Sequence, residues 1–348
     1  MKKKIVGIIC GGITLAMTLT ACQGKAGNTG AAAGGENAAQ TQQSVSKEPE
    51  ENAGWEFERK IEIVCPWGAG GAADITLRAF TAELEKELDV PIVINNKSGA
   101  GGAAGVEFAM KQPADGYTFL LCTPSPLLAQ INGSTELDVY GGIEPVTRLV
   151  HDINIIVTGK DSPYQTFEEL MTYIDANPGK VKCGVMAVTG LDGLTVEQIF
   201  GDKVETIAYN EGPEMNAAII GGHLYLAVAG PSDCMALVQS GDMRPLLTAA
   251  EQRMTVPEYK DVPCTGELGI DAYLGPYRGI FVKKGTPEEA IAAFEAAAKK
   301  AADSPEFKQW MTEQGLDQRP GYQNRAEFKE TWDKDYSLLT ELVKSVSK

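Results

Sequence analysis

Between Ile61 and Val346 the chain alternates short apolar runs of β type with stretches of helical period, and this alternation confines it to an α/β fold. The strand-like runs are Ile61–Val64, Ile92–Asn95, Thr118–Leu121, Ile153–Val157, Leu224–Val228, Arg244–Thr248 and Gly279–Val282. Helical periodicity covers Ile75–Leu88, Ala103–Lys111, Thr166–Asp175, Thr195–Phe200, Glu214–Ile220, Pro287–Ala302 and Ala326–Val346. Such alternation builds mainly parallel sheets flanked by helices, with ligands at the carboxyl ends of the strands. The body from Trp55 to Lys348 is near the upper limit for one hydrophobic core, so two lobes are expected. Thr166, after Asp161-Ser162-Pro163, reads as a helix N-cap; Thr286, before Pro287, reads as another. These paired helix starts look alike and are expected to mark the two hinge passages between lobes.

One strand-loop-helix unit carries the functional signal. The apolar run Ile61–Val64 continues into Cys65 and stops at Pro66, and the glycine-rich loop Trp67-Gly68-Ala69-Gly70-Gly71 leads to a helix starting near Asp74. Backbone N–H groups left open at a helix N-terminus favour an anion. The backbone of Ala69, Gly70 and Gly71 forms the expected anion seat, with Trp67 as its wall and Asp74 as a helix cap that would repel an anionic ligand. No side chain of the loop is a nucleophile or a proton donor near pH 7, so the unit is built to hold a group and not to transform it.

A second glycine cluster, Gly99-Ala100-Gly101-Gly102-Ala103-Ala104-Gly105, contains a weak match to a dinucleotide fingerprint. The favoured reading is a tight turn that brings a helix close to the sheet and shapes the pocket floor; no cofactor is expected. Asp115-Gly116-Tyr117-Thr118 is a turn into the next strand, and Thr123 and Ser125 follow that strand's carboxyl end, where their hydroxyls could donate to a ligand.

The first residues address the compartment. Lys2, Lys3 and Lys4 precede an apolar run from Ile5 to Leu19 that is too short for a comfortable membrane span, and Leu19-Thr20-Ala21-Cys22 resembles the bacterial lipobox. A signal peptide over 1–21 and lipidation of Cys22 are expected, placing the protein on the outer face of the cytoplasmic membrane. From Gln23 to about Ala53 the residues are mostly Gly, Ala, Asn, Gln, Ser and Glu, which cannot bury a core and form a tether.

The net charge is −16, and losing the three leader lysines takes it to −19, which argues against nucleic acid as a partner. Cys65, Cys122, Cys183, Cys234 and Cys264 are an odd, dispersed set without C-x-x-C spacing, so they read as small core residues. His151 and His223 lack a third ligand motif, and no metal is expected. Arg148 and Arg278 lie near the predicted crossings, where either could pair with a carboxylate. No nucleophile-base arrangement stands out, so an enzyme acting on an anionic substrate is the weaker of two readings and a binding protein the stronger.

Ordered motifs strengthen the second reading. Pro66-Trp67-x-x-Gly70-Gly71-x-x-Asp74, Asn96-x-x-Gly99-Ala100-Gly101-Gly102-x-x-Gly105 and Asp115-Gly116-Tyr117-Thr118 occur in succession. Pro145-Val146, Asn177-Pro178-Gly179-Lys180, Tyr209, Gly221-Gly222, Asp261-Val262-Pro263 with Glu267 and Gly269, and Gly285-Thr286-Pro287 follow. In order and spacing they resemble the substrate-binding proteins of tripartite tricarboxylate transporters, the Bug family, from residue 59 onward.

The resemblance implies a two-lobed periplasmic-binding-protein-like fold of type II, each lobe a mixed, mainly parallel sheet flanked by helices. It implies a lobe 1 of residues 55–155 plus 276–348, a lobe 2 of 156–275, and a tether over 22–54. A monomeric receptor would capture a small organic anion, a carboxylate, and deliver it to integral membrane permease subunits; a ligand-sensing receptor is the alternative within this class. The implied ligand set is Trp67, Ala69, Gly70, Gly71, Thr123, Ser125, Thr189 and Tyr209, with Thr189 as the hydroxyl of the second-lobe clamp loop Cys183–Gly190. The chain departs from the family at Val185 and Met186, at Asn210-Glu211 and at Tyr225. Glu211 reads as a solvated loop charge; nearer the pocket it would disfavour a di- or tricarboxylate and tolerate an amino acid or amide.

Overall fold

The computed structural model describes residues 54–346 except Leu274, so the leader, Cys22 and nearly all of the expected tether lie outside the described residues. The first part of the body runs Ile61–Cys65 (β1), Ala72–Leu88 (α1), Ile92–Asn96 (β2), Ala103–Lys111 (α2), Thr118–Cys122 (β3), Pro124–Ile131 (α3), Val139–Gly142 (α4) and Ile143–His151 (β4). A second part follows as Ile155–Gly159 (β5), Phe167–Ala176 (α5), Val181–Val185 (β6), Leu191–Phe200 (α6), Val204–Ala208 (β7), Gly212–Ile220 (α7), Leu226–Ala229 (β8), Pro231–Gln239 (α8) and Met243–Thr248 (β9). The chain then returns through Tyr277–Lys283 (β10), Glu288–Asp303 (α9), Pro305–Glu313 (α10) and Arg325–Val346 (α11).

Two five-stranded mixed sheets result, in the orders β2-β1-β3-β10-β4 and β7-β6-β8-β5-β9. They share one plan. β1 pairs in parallel with β2 and β3, as β6 does with β7 and β8. β10 then runs antiparallel to β3 and β4, as β5 does to β8 and β9. Each lobe has two apolar clusters. In the first, Phe80, Phe119 and Phe294 belong to one cluster, and Phe281, Phe328 and Trp332 to the other. Phe119 stacks on Phe294 with ring centroids 3.7 Å apart. Burying a ring of this size contributes about 1.5–3 kcal/mol, which anchors α9 to the sheet.

The lobes are joined where β4 leads to β5, at residues 152–154, and where β9 returns to β10. The hinge passages expected at Thr166 and Thr286 are therefore corrected, because both follow strands whose next helix stays in the same lobe. Thr166 is a cap, accepting the Glu169 N–H at 3.2 Å, but it opens α5 inside the second lobe. The N-cap of α9 is Pro287, and the Thr286 hydroxyl instead donates to the Lys283 carbonyl at 2.8 Å. The crossings are tied by Arg319, between α10 and α11, which donates to the Asp152 carbonyl at 3.0 Å and to those of Ala249 and Tyr273 at 3.1 Å.

Candidate functional site

A cavity of about 80 Å³ lies between the lobes, at the carboxyl ends of the strands. A single water needs roughly 10–15 Å³ of such space, so a small organic molecule fits. Five helices begin at this cavity. Gly71, Ala72 and Ala73 open α1; Thr123 and Ser125 open α3; Asp192 lies in the first turn of α6; Gly212 opens α7; Gly230 and Asp233 open α8. Each start carries N–H groups without an intrahelical partner and the positive end of a helix dipole, so their convergence favours negative charge.

The β1–α1 loop is held from below. Asp74 is buried, and its carboxylate accepts from Gly70 N–H at 2.9 Å, from Arg78 Nε at 2.8 Å and from Asn96 Nδ2 at 3.0 Å. Burial alone would raise its pKa, but the bonds from Arg78, Gly70 and Asn96 together hold it below the ordinary value. Asp74 is not the N-cap residue, which is Gly71; it reaches back from the third helical position to hold the loop. The second glycine cluster shapes the floor. Gly102, with φ of +93°, passes so close to Trp67 that a Cβ there would stand 3.1 Å from the indole ring. A Cβ on Gly105 would stand 2.5 Å from Pro66 Cβ, so α2 lies directly against the loop.

Of the expected ligand residues, Trp67, Gly71, Thr123 and Ser125 line the cavity. Ala69 and Gly70 are exposed outside it, and the Gly70 N–H is already given to Asp74. Thr189 lies at the contact between lobes, its carbonyl accepting from Asn132 Nδ2 at 2.9 Å and its hydroxyl 3.3 Å from that of Ser134. Tyr209 packs on the core of the second lobe. Glu211, read from sequence as a solvated charge, lies over Gly68, where a Cβ would come within 2.7 Å of its Cγ, and accepts from the Ser98 hydroxyl at 3.3 Å. It forms part of the rim and not of the lining.

Of three lining charges, the sequence signals only Arg278, and that as a partner for a carboxylate. Arg278, at the start of β10, places Nη2 2.5 Å from Asp152 Oδ2; the pair is 4% and 1% exposed, and Nη1 has no partner. The Asp233 carboxylate accepts the Ala72 N–H at 2.5 Å and the Gly230 N–H at 3.2 Å. Asp192 accepts the Met186 N–H at 3.2 Å. Burial raises the pKa of Asp152 and Asp233, against the pull of Arg278. Asp192 is pushed up to about 6 by burial, with Asp233 and Asp152 adding repulsion. Arg148 takes no carboxylate; it donates to the carbonyls of Gly321 and Pro320 at 2.7 and 2.8 Å. Among the described residues no group of three or more His, Cys, Asp or Glu is placed to hold a metal ion.

Two mixed sheets, joined by two crossings and closed on a cavity where strands end and helices begin, define a two-lobed solute-binding protein of the periplasmic-binding-protein fold. The chain belongs to the tripartite tricarboxylate transporter receptor family, whose TctC model matches residues 76–342. It is 29% identical over 298 residues to a protein encoded in the gbd 5′ region of Cupriavidus necator, covering 82% of this chain and 88% of that one. Its fold is similar to that of the periplasmic binding protein BugD, with a TM-score of 0.76 and 21% identity over 84% of this chain and 98% of that one. It is also similar to MatC of Rhodopseudomonas palustris with bound malate, with a TM-score of 0.74 and 21% identity over 82% and 99%. The protein is thus an extracytoplasmic binding receptor and not an enzyme.

Proposed function

We propose that this receptor is anchored by a lipid on Cys22, captures a small carboxylate between its lobes and delivers it to integral membrane permease subunits. The observation that carries the carboxylate reading is the meeting of helix N-termini, the Thr123 and Ser125 hydroxyls and the unpartnered Arg278 Nη1 in one cavity. The malate held by MatC, a protein of similar fold, supports the same class of ligand. Contacts from both lobes favour the closed state, which is the state a ligand must select. A thermal-shift screen of carboxylates tests the reading, since a ligand of the folded state adds about 2.7 kcal/mol at a hundredfold excess over Kd. Unchanged melting with every carboxylate would sink it.

The basic start, the short apolar run and Leu19-Thr20-Ala21-Cys22 support the anchor. Fractionation checks it: the natural chain should sediment with membranes, and Cys22→Ala should release it.

A further inference from the structure

The cavity is electrically two-sided. Its first-lobe side holds the starts of α1 and α3, the Thr123 and Ser125 hydroxyls and the Arg278 guanidinium, and among the described residues no carboxylate of that lobe lines it. Its second-lobe side holds Asp192 and Asp233, in the first turns of α6 and α8. Arg278 is the only cation among the described lining residues; it is paired with Asp152, and two further acids, Asp192 and Asp233, line the same cavity. With all of them ionised, the side chains carry an excess of negative charge. A plain dicarboxylate would add two more charges beside Asp192 and Asp233, and Asp233 already answers the N–H of Gly230 at the start of α8.

Each side of this arrangement keeps unused hydrogen-bonding capacity. Arg278 Nη1 is a buried donor awaiting an acceptor. Asp192 and Asp233 each accept backbone N–H groups, but among the described residues no side-chain cation is hydrogen-bonded to either. We infer that the ligand is an amino-acid-like zwitterion, whose carboxylate meets Arg278 Nη1 and the first-lobe helix starts while its ammonium meets Asp192 and Asp233. This rests on the carboxylate-receptor reading above and narrows its substrate class. An ammonium group supplies three charged donors to an acidic wall that has only backbone N–H groups, and the ligand as a whole adds little net charge. It would also hold the lobes together, with one end on each.

The test is calorimetric titration of the purified full chain with matched pairs of ligands. Each α-amino acid, over two to six carbons and with and without a distal carboxylate, is paired with the acid of the same skeleton lacking the amino group. A preference of at least about tenfold for the amino member of the tightest pair is expected, since a desolvated polar site left unpaired discriminates strongly. Asp192→Asn and Asp233→Asn should each weaken that amino acid and narrow the ratio. If the acid lacking the amino group binds within about tenfold or more tightly, the zwitterion inference falls while the carboxylate receptor stands. Should no member of either series bind, both fall together. A ratio unchanged in both variants would remove the two aspartates from the ammonium site.

Discussion

The Asp233 carboxylate, carried by the second lobe, accepts the backbone N–H of Ala72 in the first turn of α1 in the first lobe, at 2.5 Å. The helix start that the sequence offers to a ligand anion is thus partly satisfied by the protein's own carboxylate, which bridges the cleft. Asp233→Ala leaves that N–H without its acceptor, at a cost of about 1–3 kcal/mol while the cleft stays closed. Small-angle scattering should report a larger radius of gyration for this unliganded variant, and Asp233→Asn, which keeps an acceptor oxygen, should stay near the parent. Equal radii for all three would show that the bond does not hold the lobes.

Arg278 and Asp152 form a buried pair, so truncating one strands the other. Arg278→Met should lower stability by about 3–5 kcal/mol at pH 7 in urea unfolding. The Asp152 pKa is already raised by burial, more than Arg278 offsets. Losing the guanidinium raises it further, so the deficit should shrink as pH falls and the acid protonates. Arg278→Met with Asp152→Asn should recover much of the loss. A double variant no better than the single would mean that the pair is not coupled in this way.

Asp192 gives a pH signature with a defined sign. Its folded pKa of about 6 lies above the ordinary carboxylate value, through burial first and then through Asp233 and Asp152, against the Met186 N–H. A raised acid contributes stability that is present below its unfolded pKa and lost as pH rises through the folded one. His151 runs the other way: burial first, then Arg319 and Arg148, lower it to about 4, so its contribution is lost as pH falls. The clean measurement is therefore the difference between Asp192→Asn and the parent. That difference should move in favour of the variant between pH 4 and 7, and a flat difference would contradict the assignment.

The body's thiols should be silent until it unfolds. Cys65, Cys122, Cys183, Cys234 and Cys264 are free and buried. Burial pushes Cys65, Cys122 and Cys234 up to about 12, and raises Cys183 as well. Little thiolate is then present near neutral pH. A thiol reagent should modify none of the five in native protein and all of them in denaturant; rapid modification of any before unfolding counts against the core reading.

Gly105→Ala should be among the costlier small substitutions. The new methyl meets Pro66 Cβ at 2.5 Å and Pro66 Cα at 2.6 Å, part of a ring and backbone with little freedom to yield. A loss of about 1–3 kcal/mol is expected in urea unfolding. The shift would also displace Trp67, so a weaker ligand-induced change in its fluorescence is expected too.

The architecture was legible because strand and helix periods differ, and the anion loop because glycines, a proline and a helix start stand together within fourteen residues of chain. What escaped was masked by locally ambiguous residues. β4 carries Pro145 and three charged or titratable neighbours, which an edge strand tolerates. α3 opens with Pro124 and Pro126 and reads as a loop, yet both prolines fit its first turn and Thr123 caps it. β6 contains Gly184, where a Cβ would stand 2.5 Å from Leu224 Cδ2. The meeting of Arg278 with Asp192 and Asp233 was hidden for another reason. Each is unremarkable beside its own neighbours, and only the folding of one lobe over the other brings them to the same cavity.

The place of β10 in the first sheet sets an order of assembly. It lies between β3 and β4, yet comes from the far side of the whole second lobe. As the chain is synthesised, the second sheet has all its strands by residue 248, whereas the first keeps β3 and β4 apart until residues 277–283 arrive. Contacts of such long sequence separation form slowly because the loop must close before they gain anything. The lobe bearing the α1 start therefore matures last. For a receptor that works outside the cytoplasm, that delay leaves residues 61–151 without their closing strand until residue 283 of 348 has been made.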